Sequence, residues 1–482
     1  MICPNTLKKE LTIKIYSFKE IKTMSSIKNS NAASEFNPAN INEHVIYGRA
    51  FNAVVWGMPA VNFELLHESL QKAGSSFNQI IYWSGLISSK NQTLTPNPDV
   101  IYVNPLYDTS QGPVVLEIPP AEGSSSITGS LDDAWQTAIE DIGPAGVDKG
   151  KGAKYLILPP GYQEKPPEGY IGMPSSTFTG FAILRSNLTD GSKKDLERAV
   201  DYGRRVKIYP LAQAADPPQT TFVDLLDVPF SNVIPYDLHF FELLNQFIQR
   251  EPWLTRDMAM IDQLRNIGIE KGKTFKPDAR TKEILNEAIT DAHAWIDDKY
   301  EEVFTPPFYN GTHWALPANP EVAKGLQNNF SDPASYPVDS RGAIYSMAYF
   351  SSKHIGAGQY YLMTTKDKSS KPFDGSKLYH LHLPPGVPVK LYWSITAYDR
   401  ETHALITGAK HYSRASTTPG LQKNNDGSVD IYFGAQALPG KESNWVPTDA
   451  NRQFELLARF YGPEKAFFDK VWKMGDVEEV NI

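Results

Sequence analysis

The sequence predicts a multidomain α+β protein: two different antiparallel β-sandwich domains, of jelly-roll or immunoglobulin-like type, joined and flanked by helical segments. Three observations carry that expectation. Apolar residues recur at helical spacing in separated regions of the chain. Between those regions lie two blocks of short β-branched and aromatic runs, each run bounded by Pro, Gly or Asn. No G-x-G-x-x-G or G-x-x-x-x-G-K-S/T signature joins a strand to a helix, so a nucleotide-binding α/β unit is not indicated.

The elements follow in order. From Asn42 to Lys72, Val45, Ile46, Phe51, Val54 and Val55 make one apolar stripe, and Val61, Leu65, Leu66 and Leu70 make another. Gly57 and Pro59 are expected to split them into two helices. From about Ile80 to Leu211 the texture is strand and turn: "QIIYWSGL", "DVIYVNPLYD", "PVVLEIPP", "KYLILPP", "GFAILRSN". Helical spacing returns in "YDLHFFELLNQFIQREP", which stops at Pro252. A longer helix spans about Asp278 to Val303, with Ile284, Leu285, Ala288, Ile289, Ala292, Trp295 and Ile296 on one face. "NPEVAKGLQNNF" and "SRGAIYSMAYFSSKH" read as shorter helices. Strands resume from Leu378 to Phe433, and a last helix is expected from about Asn451 to Phe460. The resulting units are a flexible tail (1–35), helices plus a first sandwich (36–235), a mainly helical connection (236–365), and a second sandwich with a C-terminal helix (366–482).

Composition narrows the function classes. The chain has 482 residues, 41% hydrophobic and 21% charged, which is ordinary globular composition. A formal net charge of -8 supplies no basic stripe for nucleic acid. Cys3 is the single cysteine, so no intramolecular disulfide forms and cysteine catalysis is not indicated. Lys14 and Lys19 interrupt the start, leaving no secretory core, and no later run approaches a membrane span. The expectation is a cytoplasmic protein without a membrane span; formation of a homo-oligomer is compatible with it.

The stretch "TPNPDVIY" concentrates polar groups ahead of a strand. Pro96 and Pro98 push Thr95 and Asn97 towards extended backbone, and Asp99 can staple the turn before Tyr102 enters the strand. One reading is a stiff loop that satisfies its own backbone. The other aims Asn97, Asp99 and Tyr102 at a pocket. "YHLHLPP" places His380 and His382 two apart, on one face of a strand; no Glu follows in the sequence, so a metal is not indicated there. "NNDGSVD", Asn424 to Asp430, reads as a turn before a calcium loop.

"TPNPDVIYVNPLYD…GPVVLEIPP…LDDAWQTAIEDIGPAGVDKGKGAKYLILPPGY" resembles the family called domain of unknown function 1254. "LYWSITAYDRETHALI…NNDGSVDIYFG…NWVPT…LLARFYGPEKAF" is similar to its usual partner, domain of unknown function 1214. The resemblance covers most of Asn42 to Val480 and implies two different β-sandwich domains with helical connections. It implies no reaction. The family's chain end commonly has a proline soon after a tryptophan, and none follows Trp472 here.

The functional expectation is an enzyme, a hydrolase acting on a small polar or carbohydrate-like substrate in a cleft between the two sandwiches. Asp99, Tyr102, Asp133 and Arg185 are its catalytic candidates, because carboxylates, tyrosines and arginines are the acid-base groups available. Asn97, Tyr398, Asp399, Asn444 and Trp445 are its ligand-binding candidates, with no cofactor and no metal. The alternative is a non-catalytic ligand-binding or assembly module, since a sandwich fold does not dictate chemistry.

Overall fold

Asn40 starts the first helix: its side chain accepts from the amides of Asn42 and Glu43, and the helix runs unbroken over Ile41–Lys72. The expected break at Gly57 and Pro59 does not occur. An interior proline costs about 3 kcal/mol through a lost hydrogen bond and a clash. Here the cost is offset by burial, since every residue from Ala53 to His67 is buried. Helices Leu238–Arg250, Ala279–Val303 and Val338–Tyr345 pack around it. Gly57 serves that packing, because a Cβ there would lie 2.9 Å from Leu244 Cδ1.

The computed structural model that shows this describes residues 36–349 and 352–480; the expected tail, 1–35, lies outside them. Within the described residues the protein is a multidomain α+β molecule of helices and several β-sheets. Asp237 and Asp278 cap the helices Leu238–Arg250 and Ala279–Val303 at the expected places. Pro320–Gln327 and Val338–Tyr345 are the expected shorter helices. No helix among the described residues is long and apolar enough to cross a membrane.

In the first β region a six-stranded sheet has the spatial order Phe222–Asp224, Gln79–Tyr82, Ile101–Asp108, Thr179–Ser186, Ile127–Asp133, Ala138–Ile142. A four-stranded sheet, Lys207–Pro210, Val114–Ile118, Ala153–Leu158, Tyr170–Pro174, shares its core. Val103, Leu131 and Leu184 of the first meet Leu116, Tyr155 and Ile157 of the second in one buried cluster. The block also contains a helix, Lys193–Gly203, that the strand texture does not predict. Only Ala199, Tyr202 and Gly203 of its uncharged residues are buried, too few to stand out among its charges.

In the second β region the strands Gln359–Thr364, Gln453–Tyr461, Trp393–Asp399 and Ser413–Ala415 lie side by side, with Phe373–Asp374 also paired to Gln453–Tyr461. The other sheet runs Trp445–Pro447, Val429–Gly434, Tyr379–Leu383, Glu478–Glu479. Leu381, Ile431 and Phe433 pack with Ile395, Leu456 and Phe460 between them.

Two expectations are corrected here. Residues 451–460 are no helix: Gln453–Tyr461 is a central strand, paired on both sides, and all its residues except Gln453 are buried. A strand covered on both faces reads as a continuous apolar run, which periodicity alone cannot separate from a buried helix. The sheets are also not purely antiparallel. Gln79–Tyr82 runs parallel to Phe222–Asp224, Ala153–Leu158 to Tyr170–Pro174, and Val429–Gly434 to Trp445–Pro447. Each pair is separated by an excursion that returns the chain to its starting end, which a tight hairpin cannot do.

Candidate functional site

The turn at Thr95–Asp99 is driven into the seam between the two β regions. Thr95 has φ of 37°, a left-handed value that is costly for a β-branched residue. The extended backbone expected before Pro96 is thus absent. Three contacts from outside the loop hold it there. The Thr95 amide donates to the His403 carbonyl at 2.7 Å, its Oγ1 donates to the Met347 carbonyl at 3.1 Å, and its own carbonyl accepts from Arg459 Nη2 at 2.8 Å. Tyr398 and Arg459 both donate to the Pro96 carbonyl.

Asn97 continues the clamp. Its Nδ2 donates to the hydroxyls of Tyr392 and Tyr461 at 3.0 and 2.8 Å, while its Oδ1 accepts from the Asp99 amide at 2.9 Å. Its own amide donates to the Tyr102 hydroxyl at 2.8 Å. Asp99 Oδ1 accepts from Ser413 Oγ at 2.7 Å, and Oδ2 is buried with no hydrogen-bond partner. Burial raises the Asp99 carboxyl above its usual range, opposed by the Ser413 hydrogen bond and the nearby Arg459 charge. The stretch joins two regions: two of its bonds stay within it, and Tyr392, Tyr461 and Ser413 supply the others from the second.

Beside this turn lies a cavity that is partly open to solvent. Trp83, Tyr102, Phe181 and Arg185 line it from the first β region, Tyr361, Leu457 and Arg459 from the second, and Met347 and Tyr349 from between. Its walls are mainly apolar and aromatic. Among the described residues, the lining includes no carboxylate, imidazole or thiol.

The two arginines are not equivalent. Arg459 is consumed by structure, donating to Thr396 Oγ1, the Thr95 and Pro96 carbonyls, and the Tyr398 hydroxyl. Arg185 is 8% exposed, its Nε is buried without a partner, and no hydrogen bond or ion pair to its side chain occurs among the described residues. Its guanidinium carbon lies 5.6 Å from the centroid of the Tyr102 ring, and the two residues are register partners on neighbouring strands. A cation–π contact of this kind returns about 2 kcal/mol when desolvated. Burying an unpaired charge costs several kcal/mol. At another point of the wall, Asn232 Nδ2 is likewise buried without a partner. Both orphan polar groups of the lining are donors.

The structure disperses the remaining candidates. Tyr102 and Arg185 face the cavity together, and Asp99 lies behind the wall against Ser413. Asp133 is remote from them, accepting from the Thr137 amide and Ser176 Oγ. Tyr398 is fully buried and holds Pro96. Asp399 accepts from the amides of Glu401 and Thr402 and from Arg452, which makes it a loop staple. Asn444 holds Gln422 and the Asp430 carbonyl, and Trp445 Nε1 donates to the Gly434 carbonyl. None of these five lines the cavity. Asn232, Tyr361 and Met347 do, and sequence reasoning did not find them. No local signal marks them, because each is an ordinary residue whose role comes from a distant neighbour. Among the described residues two groups could hold a metal, His380–His382–Asp430 and Glu140–Asp141–His354, and neither lines the cavity.

The cavity thus lies at the seam of two unlike β regions, beside the turn at Thr95. The family models described as Protein of unknown function (DUF1254) and Protein of unknown function (DUF1214) match residues 77–210 and 358–465. The chain belongs to the proteins that pair these two domains, the first N-terminal to the second. Among solved structures, the VPA0106 protein from Vibrio parahaemolyticus is similar with a TM-score of 0.56 and 15% identity, over 90% of this chain and 100% of that one. This is a likeness of fold. An uncharacterised protein from Burkholderia cenocepacia has a TM-score of 0.39 and 10% identity, over 91% of this chain and 95% of that one. No curated protein matches.

Proposed function

We propose that this protein binds a small organic anion, a carboxylate on an apolar or aromatic body, in the cavity between its two domains. The observation behind this reading is Arg185, a buried guanidinium with no hydrogen-bond or ion-pair partner among the described residues, on a mainly apolar and aromatic wall. A planar fork matches a carboxylate with two parallel hydrogen bonds. Asn232 Nδ2 offers a second donor, and the apolar lining favours an apolar body over a carbohydrate.

This is the ligand-binding alternative to the hydrolase expectation. Hydrolysis at Arg185 would need a nucleophile or base beside it, and the carboxylates of Asp99 and Asp133 are engaged elsewhere. Each pair of sheets sharing a core supports reading the domains as β-sandwiches.

The test is calorimetry and thermal shift with benzoate and octanoate against benzamide and octanamide, on the wild type and Arg185→Gln. The acids should bind and the amides should not. Loss of the charge-assisted pair should weaken acid binding roughly 10–100-fold. Equal binding of acids and amides, or an unaffected Arg185→Gln variant, overturns the reading.

A further inference from the structure

On the second domain, away from the cavity, the strand Tyr379–Leu383 alternates inward Tyr379, Leu381 and Leu383 with outward His380 and His382. The sequence supplies no third ligand next to them. The neighbouring strand does. Val429–Gly434 pairs antiparallel with Tyr379–Leu383 and sets Asp430 directly opposite His382. Asp430 Oδ1 lies 2.8 Å from His380 Nε2 and 2.8 Å from His382 Nδ1, and one ligand atom from each of the three residues falls within 4.8 Å of the others.

We propose that His380, His382 and Asp430 form a site for one divalent transition-metal ion of the zinc type, with solvent completing the coordination. Three donors on two paired strands are held by the sheet, so little ordering is needed to assemble them. Tetrahedral zinc with bonds near 2.0–2.1 Å requires its ligands to lie roughly 3.3 Å apart. Two of the three ligand-atom pairs stand at 2.8 Å and all lie within 4.8 Å, which brackets that spacing. Two imidazoles with one carboxylate suit zinc, copper or nickel better than calcium or magnesium.

The carboxylate is also oriented from behind. Asn424 Nδ2 donates to Asp430 Oδ2 at 2.8 Å, which leaves Oδ1 turned towards the histidines. Such an outer contact is the kind that positions metal ligands. Asn424 and Asp430 bracket the "NNDGSVD" stretch, so the turn builds a transition-metal ligand instead of a calcium loop. His382 is about half exposed, with a side-chain exposure of 48%, which leaves an approach from solvent.

The other candidate group lacks this freedom. Asp141 already accepts from Ser130 Oγ at 2.9 Å and from the amides of Lys353 and His354 at 3.0 and 2.7 Å. Lys353 Nζ also stands 3.7 Å from Glu140 and would repel a cation. That group is a loop staple.

The test uses the full chain without an affinity tag, stripped with a chelator and titrated with zinc chloride by calorimetry, then with cobalt chloride by visible absorption. One ion per chain should bind, and cobalt should develop ligand-field bands in the visible. His382→Ala and Asp430→Asn should each weaken binding at least tenfold, and Asn424→Ala by roughly 10–100-fold through loss of orientation. Circular dichroism and the melting curve of each variant verify that it still folds; His382→Ala, at an exposed position, is the variant that decides if Asp430→Asn does not. Absence of saturable one-to-one binding overturns the proposal. So does binding that survives His382→Ala, or binding that disappears in Asp141→Asn.

Discussion

Arg185 stands over the ring of Tyr102, 5.6 Å from its centroid, and no hydrogen bond or ion pair to its side chain occurs among the described residues. The pair leaves the protein bearing most of the cost of a buried cation, which the anion binding we propose would lower. A site of this kind stores instability that binding relieves.

The first prediction follows from that cost. Arg185→Met keeps the side-chain length and removes the charge, so the free protein should gain about 1–3 kcal/mol. Urea unfolding at neutral pH measures it. A loss of stability would mean that Arg185 is a prop for Tyr102 and not a ligand anchor.

Asn97 gives the strongest mutational handle on the seam. Asn97→Ala removes three bonds together, those to the hydroxyls of Tyr392 and Tyr461 and that from the amide of Asp99. At about 1 kcal/mol for each lost bond, the variant should lose roughly 3 kcal/mol. The same variant should be cleaved faster by a protease between the domains. An unchanged unfolding midpoint would show that the seam does not depend on this residue.

Asp99→Asn removes a buried charge while keeping an oxygen for Ser413. Because burial raises the folded carboxyl above its unfolded value, the folded state binds more protons between the two values. Wild-type stability from this group therefore rises as pH falls through the folded value. The variant should be at least as stable as the wild type at neutral pH, with an advantage that shrinks on acidification. Unfolding curves of both proteins at pH 7 and pH 5 decide it; an advantage that grows at pH 5 contradicts the sign.

His293 titrates the other way. It stacks on Tyr236 with ring centroids 3.5 Å apart, and burial pushes its imidazole down to about 4, with Asp297 opposing and the charges of His403 and Arg400 adding. Between about 4 and the ordinary value near 6.5, the unfolded chain binds the proton and the folded one does not. Stability from this group is therefore full above the ordinary value and falls as pH drops to 4, by at most roughly 3 kcal/mol. His293→Phe keeps a ring on Tyr236 and should flatten that part of the pH profile. Melting temperatures from pH 7 to pH 4 provide the check, and an identical slope in the variant would remove His293 from the account.

What the sequence by itself determined is local. The helix Ala279–Val303 is legible because a 3.6-residue period acts between residues a few positions apart. The alternation of strand and turn, and the motifs of the two family models, are legible for the same reason. The tertiary structure decided everything that rests on a distant partner. Neighbouring helices keep Pro59 inside one helix, and strands on both sides turn 453–461 from an expected helix into a strand. Contacts from His403, Met347 and Arg459 hold Thr95 in a backbone state that its following proline disfavours. Arg185 can be chosen from the sequence as a residue type, yet its lack of a partner depends on every element around it. Asp430 completes the histidine pair only through cross-strand register. Burial and pairing are properties of the packed chain, and spacing along the sequence does not encode them separately.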